Sequence, residues 1–281
     1  AGTTYYVLVT AVGSAESGAS TLLSTIPLVS GGTLTMGFSA AGAANGDRLG
    51  YSLASGDFNG DGLDDLAVGS YLGGDDNQGS VDIYYGQPDD SLLESTPRDT
   101  LVGETNGDRF GSSIGAGDIN GDGKDDLVVG AEQFTIDQSN EGKIYLFLGS
   151  ASGVIDVAPS SLESDTASLR LGNAISVIGD FNGDGYDDVV RGSAAGGANG
   201  EANLFLGSAS PTDLFADLAG DGAWLGEVAG DDFGKSVAGV GDVNGDGLAD
   251  ISIGASGAAD GESNEGAAYV VLGTSGAVGD F

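Results

Sequence analysis

"GDFNGDGLDDLAVGS", residues 56–70, is the stretch on which the reading of this chain turns. It returns as "GDINGDGKDDLVVGA" at 117–131, "GDFNGDGYDDVVRGS" at 179–193 and "GDVNGDGLADISIGA" at 241–255. The anchoring aspartates, Asp57, Asp118, Asp180 and Asp242, are 61, 62 and 62 residues apart, so the chain is a repeat before it is anything else. Each copy carries the same order of signals. A Leu/Phe-Gly pair (Leu49-Gly50, Phe110-Gly111, Leu171-Gly172, Phe233-Gly234) opens a small-residue strand, and the acidic loop follows it. Next come a strand such as "DLAVGS", a variable loop, and a third strand: "GSVDIYYG", "GKIYLFLG", "EANLFLG" or "GAAYVVLG". A short fourth strand, as in "DTLVGE" or "AWLGE", closes the unit. Alternating apolar residues, β-branched and aromatic content and glycine punctuation indicate strands, and no helical period competes.

Four antiparallel strands per repeat predict an all-β chain, a β-propeller built from four-stranded antiparallel blades. Four blades are readable. An isolated strand, "GTLTMGF" from Gly32, precedes the first repeat, and the fourth repeat has no outer strand of its own. If the early strand completes the last blade, four blades close into a ring; the alternative is an arc belonging to a larger propeller.

Written by position, each loop is D-x-N-x-D-G-x-x-D. The candidate metal ligands are Asp57, Asn59, Asp61, Leu63 and Asp65; Asp118, Asn120, Asp122, Lys124 and Asp126; Asp180, Asn182, Asp184, Tyr186 and Asp188; and Asp242, Asn244, Asp246, Leu248 and Asp250. Oxygens at alternate positions of a tight loop converge, and the sixth-position glycine permits the turn. The seventh residue varies, as expected if only its carbonyl binds. Oxygen ligands without nitrogen or sulfur suit Ca2+, at about four sites, better than the strict octahedron of magnesium. A helix-loop-helix site would place an acid at position twelve, where this chain has Val68, Val129, Arg191 and Ile253. A single such stretch reads equally as a solvated hairpin turn; four copies that keep every oxygen position favour calcium.

With 43 Asp and Glu against 8 Lys and Arg among 281 residues, the net charge is -35. That field repels phosphate, so neither nucleic acid nor membrane insertion is expected, and no segment approaches the roughly 20 apolar residues of a spanning helix. Four calcium ions would bring the charge only to about -27, so most of the acidity lies outside the loops. Histidine and cysteine are absent, which removes thiolate nucleophiles, histidine acid/base pairs and the usual zinc sites.

The Phe-Gly pair, "GDxNGDGxxD" and the following "VGA" resemble FG-GAP repeats, the blades of the integrin alpha-chain β-propeller and its bacterial relatives, over roughly Gly32 to Gly273. The proline of the "GAP" signature is missing from all four copies, and family propellers commonly have seven blades. The opening "GTTYYVLVTAVGSAESGAS" resembles the last two strands of a fibronectin type III domain, with Thr3, Tyr5, Val9, Ala11 and Val12 matching and Tyr5 in the tyrosine-corner place. The expected domains are therefore 1–28, partial fibronectin type III, and 29–281, a calcium-binding propeller.

The resemblance implies an extracellular or cell-surface module acting in recognition or adhesion. Its protein or glycan ligand would dock on the rim opposite the calcium loops, among loops such as "SYLGGDDNQG" and "AEQFTIDQSNEG". The alternative is a structural subunit of a surface layer or filament that self-associates through its N-terminal strands. A polysaccharide-acting enzyme would need carboxylates, Tyr, Lys or Arg as its acid and base, and no carboxylate outside the loops is singled out; the expectation is no enzyme. Arg48, Arg109 and Arg170 occupy equivalent places before their Leu/Phe-Gly pairs, where they could hold an acidic ligand or pair with neighbours such as Asp47 and Asp108.

Overall fold

The computed structural model describes residues 25–27, 33–35, 38–74, 77–88, 93–137, 139–154, 160–164, 166–194, 199–215, 220–259 and 265–275. The fibronectin-like strands expected before residue 25 lie outside them. A short antiparallel pair, β1 (Thr25–Pro27) and β2 (Thr33–Thr35), comes first. Blade one is β3 (Leu49–Gly56), β4 (Asp65–Ser70), β5 (Ser80–Tyr84) and β6 (Asp99–Val102). Blade two is β7 (Phe110–Gly117), β8 (Asp126–Ala131), β9 (Lys143–Phe147) and β10 (Ser160–Glu163). Blade three is β11 (Ala174–Gly179), β12 (Asp188–Ser193), β13 (Glu201–Phe205) and β14 (Gly222–Leu225). Blade four is β15 (Phe233–Gly241), β16 (Asp250–Ala255) and β17 (Ala267–Val271). Within every blade the strands pair antiparallel in chain order, so the all-β propeller architecture stands.

The first strands β3, β7, β11 and β15 pack one against the next, and the apolar core lies in the clefts between blades. The second strand is apolar on both sides because both sides are covered. Leu127 and Val129 join Phe58, Val81 and Ile83 of blade one, while Val128 joins Ile175 and Val189 of blade three.

The repeat signature is an inter-blade joint. Gly130 sits so close to the Gly172 carbonyl that a Cβ there would lie 2.0 Å from its oxygen; the matching figures are 2.4 Å for Gly69 on Gly111 and 2.1 Å for Gly192 on Gly234. Ser52 and Ser113 donate to the Gly111 and Gly172 carbonyls, both at 2.6 Å. Parallel bridges from Gly79 to Phe110, Gly142 to Leu171 and Gly200 to Phe233 hold the same turn from its other side. The glycine of "VGA" is thus the socket for the Leu/Phe-Gly of the next blade.

In blade four no described residue occupies the socket. Ser236, Gly254 and Ala268 face a hollow of about 520 Å³, and Val270 and Leu272 are 57% and 49% exposed. Of the two arrangements the sequence leaves open, a closed ring and an arc, the described residues favour the arc. Thr33–Thr35 pairs with Thr25–Pro27 and not with β17, and β3 and β15 share no packed interface among the described residues. A neighbour five residues away closes a short loop at little entropic cost, whereas completing blade four spans most of the chain. The described blades form an open arc.

The arginines also differ from expectation. Arg48, Arg109 and Arg170, and Asp232 in the fourth repeat, all have left-handed backbones, with φ of 64°, 59°, 54° and 55°. Their aspartate neighbours cap the preceding turn instead of pairing with them. Asp47 Oδ2 accepts from the Ala44 N–H (2.6 Å), Asp108 Oδ2 from Thr105 (2.6 Å) and Asp231 Oδ2 from Val228 (3.0 Å). Arg109 turns away to Glu132 at 2.6 Å and over the Tyr71 ring. Asp108→Ala should therefore lower the unfolding free energy by about 1–2 kcal/mol in urea denaturation, as expected for a lost charged cap. Equal stability of variant and parent would remove the cap as a stabilising contact.

Candidate metal centres

Each acidic loop joins the first strand of a blade to its second, and all four fold alike. Asp57 Oδ1 accepts the N–H of Gly60 (2.7 Å) and Asp61 (3.1 Å), and its Oδ2 that of Gly62 (2.7 Å). Asn59 Oδ1 accepts from Asp61 N–H (2.8 Å), and Asp61 Oδ1 from Leu63 N–H (2.9 Å). The glycines at positions four and six have positive φ, as Gly60 (72°) and Gly62 (86°) show. Asp118, Asp180 and Asp242 gather the N–H groups of Gly123, Gly185 and Gly247 in the same way, at 2.8–2.9 Å. Those donors hold the Asp242 carboxyl below the usual carboxylate range.

The ninth-position carboxylate is the buried one. Asp65 Oδ2 accepts from Phe58 N–H (2.9 Å) and Oδ1 from Gly86 N–H (2.8 Å), tying the loop to the end of the third strand. Asp188 and Asp250 do the same with Phe181 and Gly207 and with Val243 and Gly273. Burial pushes Asp65 up to about 6 and Asp126 and Asp188 to about 7, with the carboxylates at positions one and five adding to the rise.

Among the described residues no three acidic side chains meet in a geometry that would hold an ion, because positions one and nine are turned onto backbone N–H groups. The donor set nonetheless fits a hard cation. All its ligand atoms are oxygens, and a buried carboxylate faces two others whose repulsion a divalent ion would relieve. Asp126 Oδ2 is also buried without a hydrogen-bond partner. Positions one, three, five and nine and the seventh carbonyl would hold the ion.

Two positions that carry no ligand role in the sequence pattern prove important. The second residue of the loop, Phe58, Ile119 or Phe181, is fully buried beneath the next blade, and its carbonyl accepts from Ser150, Ser208 or Thr274 N–H at 3.0–3.1 Å. In loop four the equivalent Val243 is 56% exposed. The eighth residue of the next loop grips the first: Asp125 Oδ2 accepts the Asp57 N–H at 2.7 Å, and Asp187 Oδ2 the Asp118 N–H at 3.0 Å. The doublets Asp64-Asp65, Asp125-Asp126 and Asp187-Asp188 were the signal, since only the second member is in ligand register. The seventh side chain is not idle either; Lys124 and Tyr186 lie over Gly60 and Gly121 of the preceding loop.

Residues 49–84, 110–147 and 233–271 match the FG-GAP repeat, that is, the first three strands of blades one, two and four. Integrin alpha pat-2 of Caenorhabditis elegans is 31% identical over 224 residues, 74% of this chain and 18% of the relative. Integrin alpha-V of Gallus gallus is 32% identical over 226 residues, 78% and 21% respectively. The chain thus spans about a fifth of the length of these curated relatives. Among solved structures, a Bacillus licheniformis rhamnogalacturonan lyase superimposes with a TM-score of 0.41 and 13% identity, over 81% of this chain and 43% of its own.

Proposed function

We propose that this propeller of FG-GAP-type blades is a calcium-stabilised recognition module of the cell surface or extracellular space, acting by binding and not by catalysis. The single observation that carries the reading is the fourfold loop, in which an all-oxygen donor set is wrapped by the same first-position contacts and closed by a buried carboxylate. Its likeness to integrin alpha chains supports an adhesive role. Calcium modules outside cells bind at roughly 0.1–1 mM, a range met there and not in cytosol.

The ligand, a protein or glycan, docks on the rim opposite the acidic loops, where the connections after the second strand are polar and differ between blades. The test is binding of the purified chain to an array of glycans and matrix proteins, in millimolar calcium and again with chelator. Calcium-dependent capture of a defined ligand is the expected result. A folded, calcium-loaded chain that captures nothing overturns the recognition reading and favours an assembly role through the N-terminal strands.

A further inference from the structure

The four loops share a fold but not a setting. Loops one and two are entered from a regular ladder, with Gly56 paired to Asp65 and Gly117 to Asp126. Each is then gripped at its first residue by the next blade. Asp125 takes the Asp57 N–H through its carboxylate (2.7 Å) and returns its own N–H to the Asp57 carbonyl (3.0 Å). Asp187 does the same to Asp118, at 3.0 and 3.1 Å.

Loops three and four are entered differently. The register slips before Gly179 and Gly241, and these glycines take φ of 84° and 70°. At loop three the gripping position is Ala249, which keeps the N–H to the Asp180 carbonyl (2.9 Å) but has no carboxylate. At loop four no described blade follows. The space for the grip is built in as well: a Cβ on Gly56 would lie 2.5 Å from Asp125 Oδ2, and one on Gly117 2.5 Å from Asp187 Oδ2.

The geometry points to Asp125 and Asp187 as positioning residues that divide the calcium sites into two classes, gripped sites at loops one and two and ungripped sites at loops three and four. The inference rests on the calcium reading above. Neither carboxylate is in ligand register; each fixes the backbone of the residue that supplies the first ligand, so the loop is held in shape before the ion arrives and while it leaves. Preorganisation of this kind acts chiefly on the rate of release. One charge-assisted hydrogen bond separates the two classes by about tenfold.

The experiment is calcium release from the loaded full chain into a fluorescent chelator, followed by stopped flow, with total calcium per chain counted beforehand. The parent should release two ions slowly and two at least about tenfold faster. Asp125→Ala and Asp187→Ala should each move one ion from the slow phase to the fast, and the double variant should have no slow phase. Asp125→Asn, whose amide oxygen can still accept the Asp57 N–H, should keep its slow ion. Asp64→Ala, the same position in the first loop with no described loop before it, should release like the parent.

Four ions leaving the parent in one phase would overturn the two classes while leaving calcium binding intact. Unchanged slow amplitudes in folded Asp125→Ala and Asp187→Ala would overturn the role of the carboxylates. A chain that carries no calcium at all overturns the calcium reading and this inference with it. Should the alanine variants not fold, the parent and Asp125→Asn still decide between one class of site and two.

Discussion

Gly130→Ala is expected to destabilise the chain by about 3 kcal/mol or more, whereas Gly254→Ala, the same position in the last described blade, should cost less than about 1 kcal/mol. At Gly130 a new Cβ would meet the Gly172 oxygen at 2.0 Å and its carbonyl carbon at 2.8 Å, so one blade must move off the next. At Gly254 the nearest atom is Ser236 Oγ at 2.4 Å, the end of a side chain free to rotate, and the next contacts are 3.7 Å or more away. The backbone of neither glycine is left-handed, so the difference measures the neighbour and not local strain. Urea denaturation in saturating calcium compares them directly. Equal losses at the two positions would contradict the socket as the joint between blades.

Removing calcium should have an effect as large. At 10 mM calcium and dissociation constants of roughly 0.1–1 mM, each site adds roughly 1.4–2.7 kcal/mol, and four together roughly 6–11 kcal/mol. The thermal midpoint should then fall by at least about 10 °C when calcium is replaced by chelator. Magnesium, which is reluctant to shed its waters, should restore little of the loss. The physical reason lies in the ninth-position carboxylates. Asp65, Asp126 and Asp188 are buried beside the acids at positions one and five, and without a cation that repulsion opposes folding. An unchanged midpoint in chelator, read by scanning fluorimetry, would remove calcium as a stabilising ligand of this chain.

The blades and the loops were legible in the sequence because both are written within a few residues. Alternation sets a strand, and oxygens at every second position set a loop. What one blade does to the next was hidden, because its partners lie some 60 residues apart. Phe58 and Asp125 occupy variable positions of their own loops, and their roles emerge only when the second residue of one loop meets the eighth of the next. Arg109 looked like a partner for Asp108 since the two are adjacent; the left-handed backbone at Arg109 and the capping of Thr105 by Asp108 aim them apart. Counting strands leaves the one at Thr33 free to complete the last blade or not, because a count does not weigh a nearby partner against a distant one; in the fold it pairs with Thr25–Pro27.

The grip of each loop by its successor sets a direction in time. Asp57 and Asp125 are 68 residues apart, and Asp118 and Asp187 are 69. During synthesis at roughly 5–20 residues per second, a finished loop waits roughly 3–14 s before the carboxylate that steadies it exists. While each of the first two loops waits, the growing chain carries an acidic loop that is complete in sequence and unfinished in structure. Calcium that reached the chain only after release would find the first two loops already latched; calcium present throughout would meet each of them first in its loose form.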